Sequence, residues 1–209
     1  MRASFVVEFT GPSGAGKSTL AAEVRKQLDD QGVSYRWHDS TYQYRTLRSV
    51  WKHRRLAAWR AANIIARRRP PVHVMWPQMK KVAGGAELLR RLGQQPGLHL
   101  VDEGLFLPLP NHIGHQPRTA RGLLSAAPRP QLLVNVTATP EVTAARREQR
   151  GSKAKGTART EREHRCHSYG VLVLSGQIPI FEVDATEAPT PVTARSVIAA
   201  ILQRSASTA

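Results

Sequence analysis

The chain has 209 residues, of which 41% are hydrophobic and 22% charged, as in a soluble globular protein of ordinary size. Its single cysteine, Cys166, excludes an internal disulfide framework, and no apolar run approaches the roughly 18 residues of a membrane-spanning helix. The formal net charge of +16 fits either a polyanionic partner or the arginine-rich composition of a GC-rich genome.

The first half of the chain predicts two strands and three helices. Ser4–Thr10 is rich in β-branched and aromatic residues and ends at a glycine, which is typical of a buried strand. The next segment, Ser18–Asp30, is predicted as a helix because Leu20, Val24 and Leu28 share one face. The remaining predictions are a strand at Val33–His38, a long helix at Thr41–Arg69 and a short helix at Ala86–Leu92.

The second half continues the alternation of strands and helices. Thr139, Pro140 and Glu141 combine a capping hydroxyl, a first-turn proline and an acid at the positive end of a helix, which predicts a helix start. The predicted strands are Leu98–Val101, Gln131–Val136 and Ile178–Val183, and the predicted helices are 139–150, Glu161–Ser175 and Pro191–Gln203.

This alternation predicts an α/β fold, with a five-stranded parallel sheet covered by helices on both faces. We expect a single domain over residues 1–204 and a frayed tail at 205–209. The first apolar run is interrupted by Glu8 and leads into a glycine-rich loop, so it does not resemble a secretory signal. We therefore expect a cytoplasmic location.

Residues 11–18 satisfy the pattern G-x-x-x-x-G-K-[ST], between the first predicted strand and the first predicted helix. Glycines let several backbone N–H groups point at one anion, and the helix start adds its positive end. In such a loop Lys17 reaches the β- and γ-phosphates of a nucleoside triphosphate, and the Ser18 hydroxyl ligates Mg²⁺. The predicted nucleotide-binding residues are Gly11, Ser13, Gly14, Ala15, Gly16, Lys17, Ser18 and Thr19.

Three acidic residues follow predicted strands. Asp102 ends the third strand, where a carboxylate can hold magnesium directly or through water. Glu103, the next residue, is a candidate base for water activation, which keeps ATP hydrolysis open. Asp39 follows the second strand and is either a base or anchor for an acceptor hydroxyl or the partner of an arginine.

Arg146 and Arg150 lie four residues apart on the helix after the fourth strand and are predicted to share a face. Arginines that reach a triphosphate stabilise the transferring group, whereas a solvated basic helix face is the alternative. The glycine- and lysine-rich residues 151–157 that follow favour a mobile lid.

The order of these pieces resembles the P-loop kinases of the nucleoside monophosphate kinase group, in particular thymidylate kinase-like proteins and deoxynucleoside kinases. The resemblance implies a P-loop NTPase fold with a helical lid over about 140–165 and an acceptor-side helical region over about 40–97. It further implies that the turn at residues 184–186, with Ala185 and Thr186, packs on the adenine base. The segments that carry it are GPSGAGKST at 11–19, Asp39, DEG at 102–104 and TPEVTAARREQR at 139–150.

The third-strand motif departs from the family pattern. Thymidylate kinases usually have Asp-Arg-Tyr or Asp-Arg-Phe there and deoxynucleoside kinases Glu-Arg-Ser, whereas Glu103 replaces the arginine in this sequence. The acceptor therefore need not be a nucleotide. The leading hypothesis is transfer of the γ-phosphate of Mg-ATP to a nucleoside, a nucleotide or a sugar-like alcohol.

Residues 36–91 contain 14 basic and two acidic residues, a net charge of +12. This segment keeps open a second hypothesis, a nucleic-acid-end kinase or a nucleic-acid-stimulated ATPase. A regulatory nucleotide-binding protein without transfer chemistry is the third. We expect Trp51 and Trp59, within this segment, to lie in the core or in the wall of an acceptor pocket, with base-stacking platforms as the alternative. The oligomeric state is left open.

Overall fold

The computed structural model describes residues 3–39, 41–58, 60–61, 72–102, 104–106, 109–110, 113, 124, 127–151, 157–187 and 190–207. Five strands form one sheet in the order β2-β3-β1-β4-β5, and every neighbouring pair is parallel. The predicted fold class is therefore confirmed. The strands are β1 (Ser4–Thr10), β2 (Tyr35–His38), β3 (Gly97–Val101), β4 (Leu132–Thr137) and β5 (Ile180–Asp184).

Six helices have defined bounds within this part of the chain. A 3₁₀ turn at Tyr42–Tyr44 follows β2, and residues 54–58 and 60–61 are also helical. The helices are α1 (Lys17–Asp30), α2 (Leu47–Lys52), α3 (Val72–Leu92), α4 (Pro140–Gln149), α5 (Thr157–Ser175) and α6 (Pro191–Ser207).

Alternation along the strands sends side chains to two separate cores. One face of the sheet packs against α1 and α6, with Phe5, Val7 and Phe9 of β1 in its centre. The other face, which carries Val6 and Leu133, packs against α3, α5 and the segment after β3. Both faces are thus closed by helices, as an all-parallel sheet requires.

The predicted long helix at Thr41–Arg69 is wrong, because the described part of this segment is broken. Thr46 has an extended backbone, and its side chain accepts a hydrogen bond from the backbone N–H of Ser49. That N-cap starts α2 as a new helix, which ends at Lys52. A capping hydroxyl inside a helical pattern therefore outweighed the apolar periodicity.

The short helix predicted at Ala86–Leu92 is the end of a much longer one, α3. Pro77 lies inside α3, although a proline in a helix interior removes one backbone hydrogen bond. Two glycines bring α3 close to its neighbours: a Cβ on Gly84 would lie 3.0 Å from the Arg45 side chain, and one on Gly85 would lie 2.8 Å from the Leu105 backbone. Small side chains at these positions allow this close packing.

The chain end also differs from expectation. α6 continues to Ser207 and Ser205 is buried, so residues 205–207 are helical and not frayed. Among the described residues, no helix combines the length and the apolar character needed to cross a membrane.

Candidate active site

The loop between β1 and α1 has the backbone geometry that anion binding needs. Gly11, Gly14 and Gly16 all have positive φ angles, of 148°, 88° and 96°. Two of them also lie against other backbone: a Cβ on Gly11 would lie 2.0 Å from the Val136 carbonyl oxygen, and one on Gly14 would lie 2.7 Å from that of Thr143. Glycine is therefore required here by both conformation and space.

The reactive side chains of this loop lie at the first turn of α1. Lys17 is half-buried, and its Nζ donates to the carbonyl oxygens of Gly11 at 3.0 Å and Pro12 at 2.8 Å. Ser18 and Thr19 follow it with exposed side chains, whereas Ala15 is completely buried and anchors the loop to the core. A lysine held within the loop by two carbonyls is already positioned beside the phosphate site.

Two of the three predicted acids lie in the described residues. Asp102 is half-buried, and its backbone N–H donates to the carbonyl oxygen of His38 at 3.0 Å, which joins the ends of β3 and β2. β3 pairs directly with β1, so Asp102 lies at the same sheet edge as the loop. Asp39 is exposed at the end of β2, one strand further away. Glu103 lies outside the described residues.

These donors fit a magnesium ion. A hydroxyl and a carboxylate are hard oxygen ligands, and Mg²⁺ is commonly held by one or two protein groups together with water and substrate phosphates. Within the described ranges there is no group of three or more His, Cys, Asp or Glu residues that could form an all-protein metal site. Ser18 and Asp102 stay the predicted ligands of a nucleotide-bound magnesium.

Arg146 lies over the turn after β5. Its two terminal nitrogens donate to the carbonyl oxygens of Ala185 at 2.9 Å and Thr186 at 3.3 Å. Asp184 shapes this turn by accepting from the backbone N–H and the hydroxyl of Thr186, and these bonds lower the pKa of the Asp184 carboxyl. Arg146 therefore connects α4 to the predicted adenine-side turn.

Arg147 was not predicted, yet it is the arginine of α4 that contacts the phosphate-binding loop. Its Nε donates to the carbonyl oxygen of Ser13 at 2.7 Å, and its guanidinium lies 3.2 Å from Glu163 of α5. The residue is 7% exposed. Arg150 is the exposed C-cap of α4, and its position on a shared face with Arg146 stays a prediction.

Buried polar groups fix the segment that follows Asp102. The Glu8 carboxylate accepts a hydrogen bond from the backbone N–H of Phe106, and the Thr10 hydroxyl donates to the Phe106 carbonyl oxygen at 2.7 Å. A Cβ on Gly104 would lie 2.3 Å from the Glu8 carboxyl carbon. In the sequence Glu8 only interrupts an apolar run, whereas in the structure its buried carboxylate binds the chain next to the site.

A polar network under the loop joins β4, β5 and α5. The Asn135 amide nitrogen donates to Glu182 at 2.6 Å, so the Asn135 oxygen accepts from His167 Nε2 at 2.8 Å. Burial first, and then the charge of Lys17 and the proximity of His164, lower the pKa of His167 to about 3. His167 is thus a neutral, buried donor close to the loop lysine.

Because His167 is neutral in the folded protein, we expect the free energy of unfolding to fall at acidic pH. Since its pKa is lower in the folded protein than in the unfolded chain, the unfolded chain binds the extra proton, and stability falls as the pH drops from 6.5 towards about 3. We expect His167→Gln, which can still donate to Asn135, to lose less stability than the wild type between pH 7 and pH 5. The expected difference is about 2 kcal/mol.

Urea unfolding at the two pH values measures this effect. His38→Gln is a matched control on the opposite side of the sheet, because burial lowers the pKa of His38 to a smaller extent. An equal pH dependence in the wild type and His167→Gln would contradict a neutral buried His167.

Comparison with known proteins adds the following relationships. The adenylylsulphate kinase family model matches residues 3–47, which span β1, the phosphate-binding loop, α1 and β2. A comparison with curated protein sequences gives no match.

Solved structures with similar folds include deoxyadenosine kinase from M. mycoides. With bound dATP it gives a TM-score of 0.58 at 15% identity, covering 95% of this chain and 100% of that chain. The complex with dCTP gives a TM-score of 0.57 at 13% identity and covers 95% of this chain and 100% of that chain. The complex with the products dCMP and a flexible dCDP gives a TM-score of 0.58 at 14% identity and covers 95% of this chain and 99% of that chain. The chain therefore has a P-loop kinase fold.

Proposed function

We propose that this protein is an ATP-dependent phosphotransferase that moves the γ-phosphate of Mg-ATP to a small acceptor. The observation that carries the proposal is the shared sheet edge of the phosphate-binding loop and Asp102, which follow the adjacent strands β1 and β3. That arrangement unites a triphosphate cradle with a magnesium-holding carboxylate.

The roles follow from the side chains present. The Lys17 ammonium would leave its loop carbonyls for phosphate oxygens of the triphosphate, and the N–H groups of the loop would bind the remaining oxygens. Ser18 and Asp102 would hold Mg²⁺. When bound, that ion supplies charge neutralisation between the β- and γ-phosphates.

On the nucleotide side, the turn at Ala185 and Thr186 is our proposed adenine contact. Arg146 supports it through two carbonyls, so this arginine acts on the base side of the site and not at the transferring phosphate. We propose α4, residues 151–157 and the start of α5 as a lid belonging to the same domain, with Arg150 able to approach the phosphates from it.

On the acceptor side, the proposed base is Asp39 at the end of β2, with Asp102 between it and the loop. A base must come within hydrogen-bond reach of the acceptor hydroxyl, and the exposed Asp39 carboxylate is accessible to one. The proposed acceptors are nucleosides first, because of the likeness to deoxyadenosine kinase, followed by nucleotides, adenylylsulphate and sugar-like alcohols.

Acceptor dependence tests the proposal. We expect ADP formation from Mg-ATP to rise at least about tenfold when the correct acceptor is added, because positioning of both reactants is the main source of rate in phosphoryl transfer. A coupled ADP assay over deoxyribonucleosides, ribonucleosides, nucleoside monophosphates, adenylylsulphate and polyols measures it. Asp39→Asn should lower only the stimulated rate.

The two remaining hypotheses give different results in the same assay. A nucleic-acid-end kinase or a nucleic-acid-stimulated ATPase, the latter with Glu103 as its base, would show turnover that an oligonucleotide stimulates and that none of the small acceptors does. A regulatory nucleotide-binding protein would bind Mg-ATP without turnover under any condition. Either pattern across the whole panel would contradict transfer to a small acceptor.

A further inference from the structure

A cavity of about 140 Å³ lies between α2 and the end of α3. Its lining includes the side chains of four basic residues, two hydroxyl residues and one acid. These are Arg48, Lys52, Arg90, Arg91, Thr46, Ser49 and Glu87. α3 reaches this cavity near its C-terminal end, from which the chain turns into the beginning of β3.

The single acidic residue of the cavity, Glu87, already pairs with three of its basic residues. Glu87 is 7% exposed at its side chain and accepts from Arg90 at 2.8 Å and Arg91 at 3.0 Å, with Lys52 at 3.2 Å. These cations, Arg90 first, hold the pKa of Glu87 well below its usual range. One negative charge thus faces four positive charges, so the cavity keeps a positive excess and its guanidinium groups are held in place.

Arg48 adds a cation that Glu87 does not engage. It is exposed, and it makes no hydrogen bond or ion pair with the residues that the structure describes. Arg91 offers its guanidinium from the other wall, where it lies 5.2 Å from the ring centroid of Tyr44. Arg48 can therefore turn to an anion that enters the cavity, where Arg91 presents a charge that Glu87 and Tyr44 hold in place.

An exposed aromatic residue lies on α2, the helix that forms one wall of this cavity. Trp51 is 77% exposed and Leu47 is 68% exposed, which corrects the expectation that Trp51 lies in the core or in a pocket wall; Trp59 lies outside the described residues. At 100° per residue, Arg48 falls between Trp51 and Lys52 around the axis of α2. The Trp51 ring, the Arg48 guanidinium and the cavity lined by basic side chains therefore follow one another across the surface.

We propose that this surface binds single-stranded nucleic acid, with a backbone phosphate in the cavity and a neighbouring base stacked on Trp51. Single strands are bound by aromatic platforms beside positively charged grooves, and both elements are present here at the spacing of one helix turn. The net charge of +12 over residues 36–91 adds long-range attraction for a polyanion. This goes beyond the proposed phosphotransferase reaction.

An anionic membrane surface fits less well. Interfacial helices bury a long apolar face, whereas α2 has six residues and exposes two large apolar side chains. A flat headgroup layer also makes no use of a concave, cation-lined recess. Charge and shape together favour a flexible strand whose phosphates project from its backbone.

Fluorescence anisotropy of a labelled, mixed-sequence 12-nucleotide DNA, without ATP, tests the proposal on the full chain. We expect Trp51→Ala to weaken binding about 5- to 100-fold, the range of one stacked base. Arg48→Ala should weaken it as well and lower the steepness of the log affinity against log salt plot by about 0.7, the value for one phosphate contact with a single strand.

Matched controls come from distant parts of the surface. Arg195→Ala removes the same charge from an exposed site on α6, and Leu172→Ala removes an exposed apolar side chain from α5, and neither should change binding. Equal losses in Arg48→Ala and Arg195→Ala would overturn the proposal by indicating diffuse attraction. The proposal would also be overturned if only Lys17→Ala weakened DNA binding. The same holds if the protein bound phosphatidylserine vesicles and not DNA.

Discussion

Replacing Lys17 with alanine is expected to lower phosphoryl transfer about 10²- to 10³-fold, as the loss of one preorganised charge at a transition state does in other enzymes. The reason is geometric. Lys17 Nζ is held by the carbonyl oxygens of Gly11 and Pro12 inside the loop, which places its charge beside the proposed phosphate position. Binding of Mg-ATP should weaken in parallel.

Thermal shift and turnover measure the two effects separately. Mg-ATP at 100 times its dissociation constant stabilises the wild type by about 2.7 kcal/mol, or roughly 5–11 °C for a chain of this size. The shift should largely disappear in Lys17→Ala. Lys26→Ala is the matched control, because Lys26 is exposed on the same helix, α1. Unchanged binding and turnover in Lys17→Ala would show that another site handles the nucleotide.

Arg147→Met is expected to weaken Mg-ATP binding at least about tenfold and to destabilise the fold by about 1.5–3 kcal/mol, the range for hydrogen bonds to charged groups. Arg147 holds the Ser13 carbonyl, and it balances Glu163, whose side chain is 23% exposed. Without it, Ser13 loses a fixed position and Glu163 loses its buried partner.

Arg150→Met, three residues further along the chain, is the stability control for Arg147→Met, and Lys26→Ala is the control for nucleotide binding because Arg150 is itself proposed to approach the phosphates. Arg150 is exposed at the C-cap, so its replacement should change stability by less than about 0.5 kcal/mol. Urea unfolding and calorimetric titration with Mg-ATP compare the two variants. If Arg150→Met impaired nucleotide binding and Arg147→Met did not, the predicted lid arginine would be correct and the role assigned to Arg147 wrong.

The phosphate-binding loop and the strands could be predicted because their signals are local. The pattern from Gly11 to Ser18 contains its own backbone requirements, and buried strands such as Leu98–Val101 appear as short apolar runs between turn residues. Their order in the sheet was not predicted, because hydrophobic periodicity carries no information on which strands pair.

The choice between Arg146 and Arg147 could not be made from the sequence. Adjacent residues on a helix point 100° apart, and which of them faces the loop depends on how α4 docks on it. That docking is set by the contact of Gly14 with the Thr143 carbonyl and the Arg147 side chain. Thr143 and Arg147, four residues apart and both buried, form the face that packs on the loop, which indicates Arg147 only once the contact is known.

The helix boundaries between Asp39 and β3 were predicted wrongly for a different reason. Thr46 competes as an N-cap within an apolar helical pattern, and Pro77 lies inside α3 although it usually ends a helix. The position of α3 depends on the close packing of Gly85 on Leu105, and no local sequence pattern predicts that contact. The exposure of Trp51 follows from the same break, because α2 turns that side chain outward.

Following the γ-phosphate itself tests the central claim most directly. The protein is incubated with Mg²⁺, γ-³²P-ATP and each acceptor of the panel, and the products are separated by chromatography, with Lys17→Ala as the blank. We predict that label moves from ATP to one organic acceptor in a Lys17-dependent manner. Label found only in inorganic phosphate, or retained entirely in ATP across the panel, would contradict a phosphotransferase.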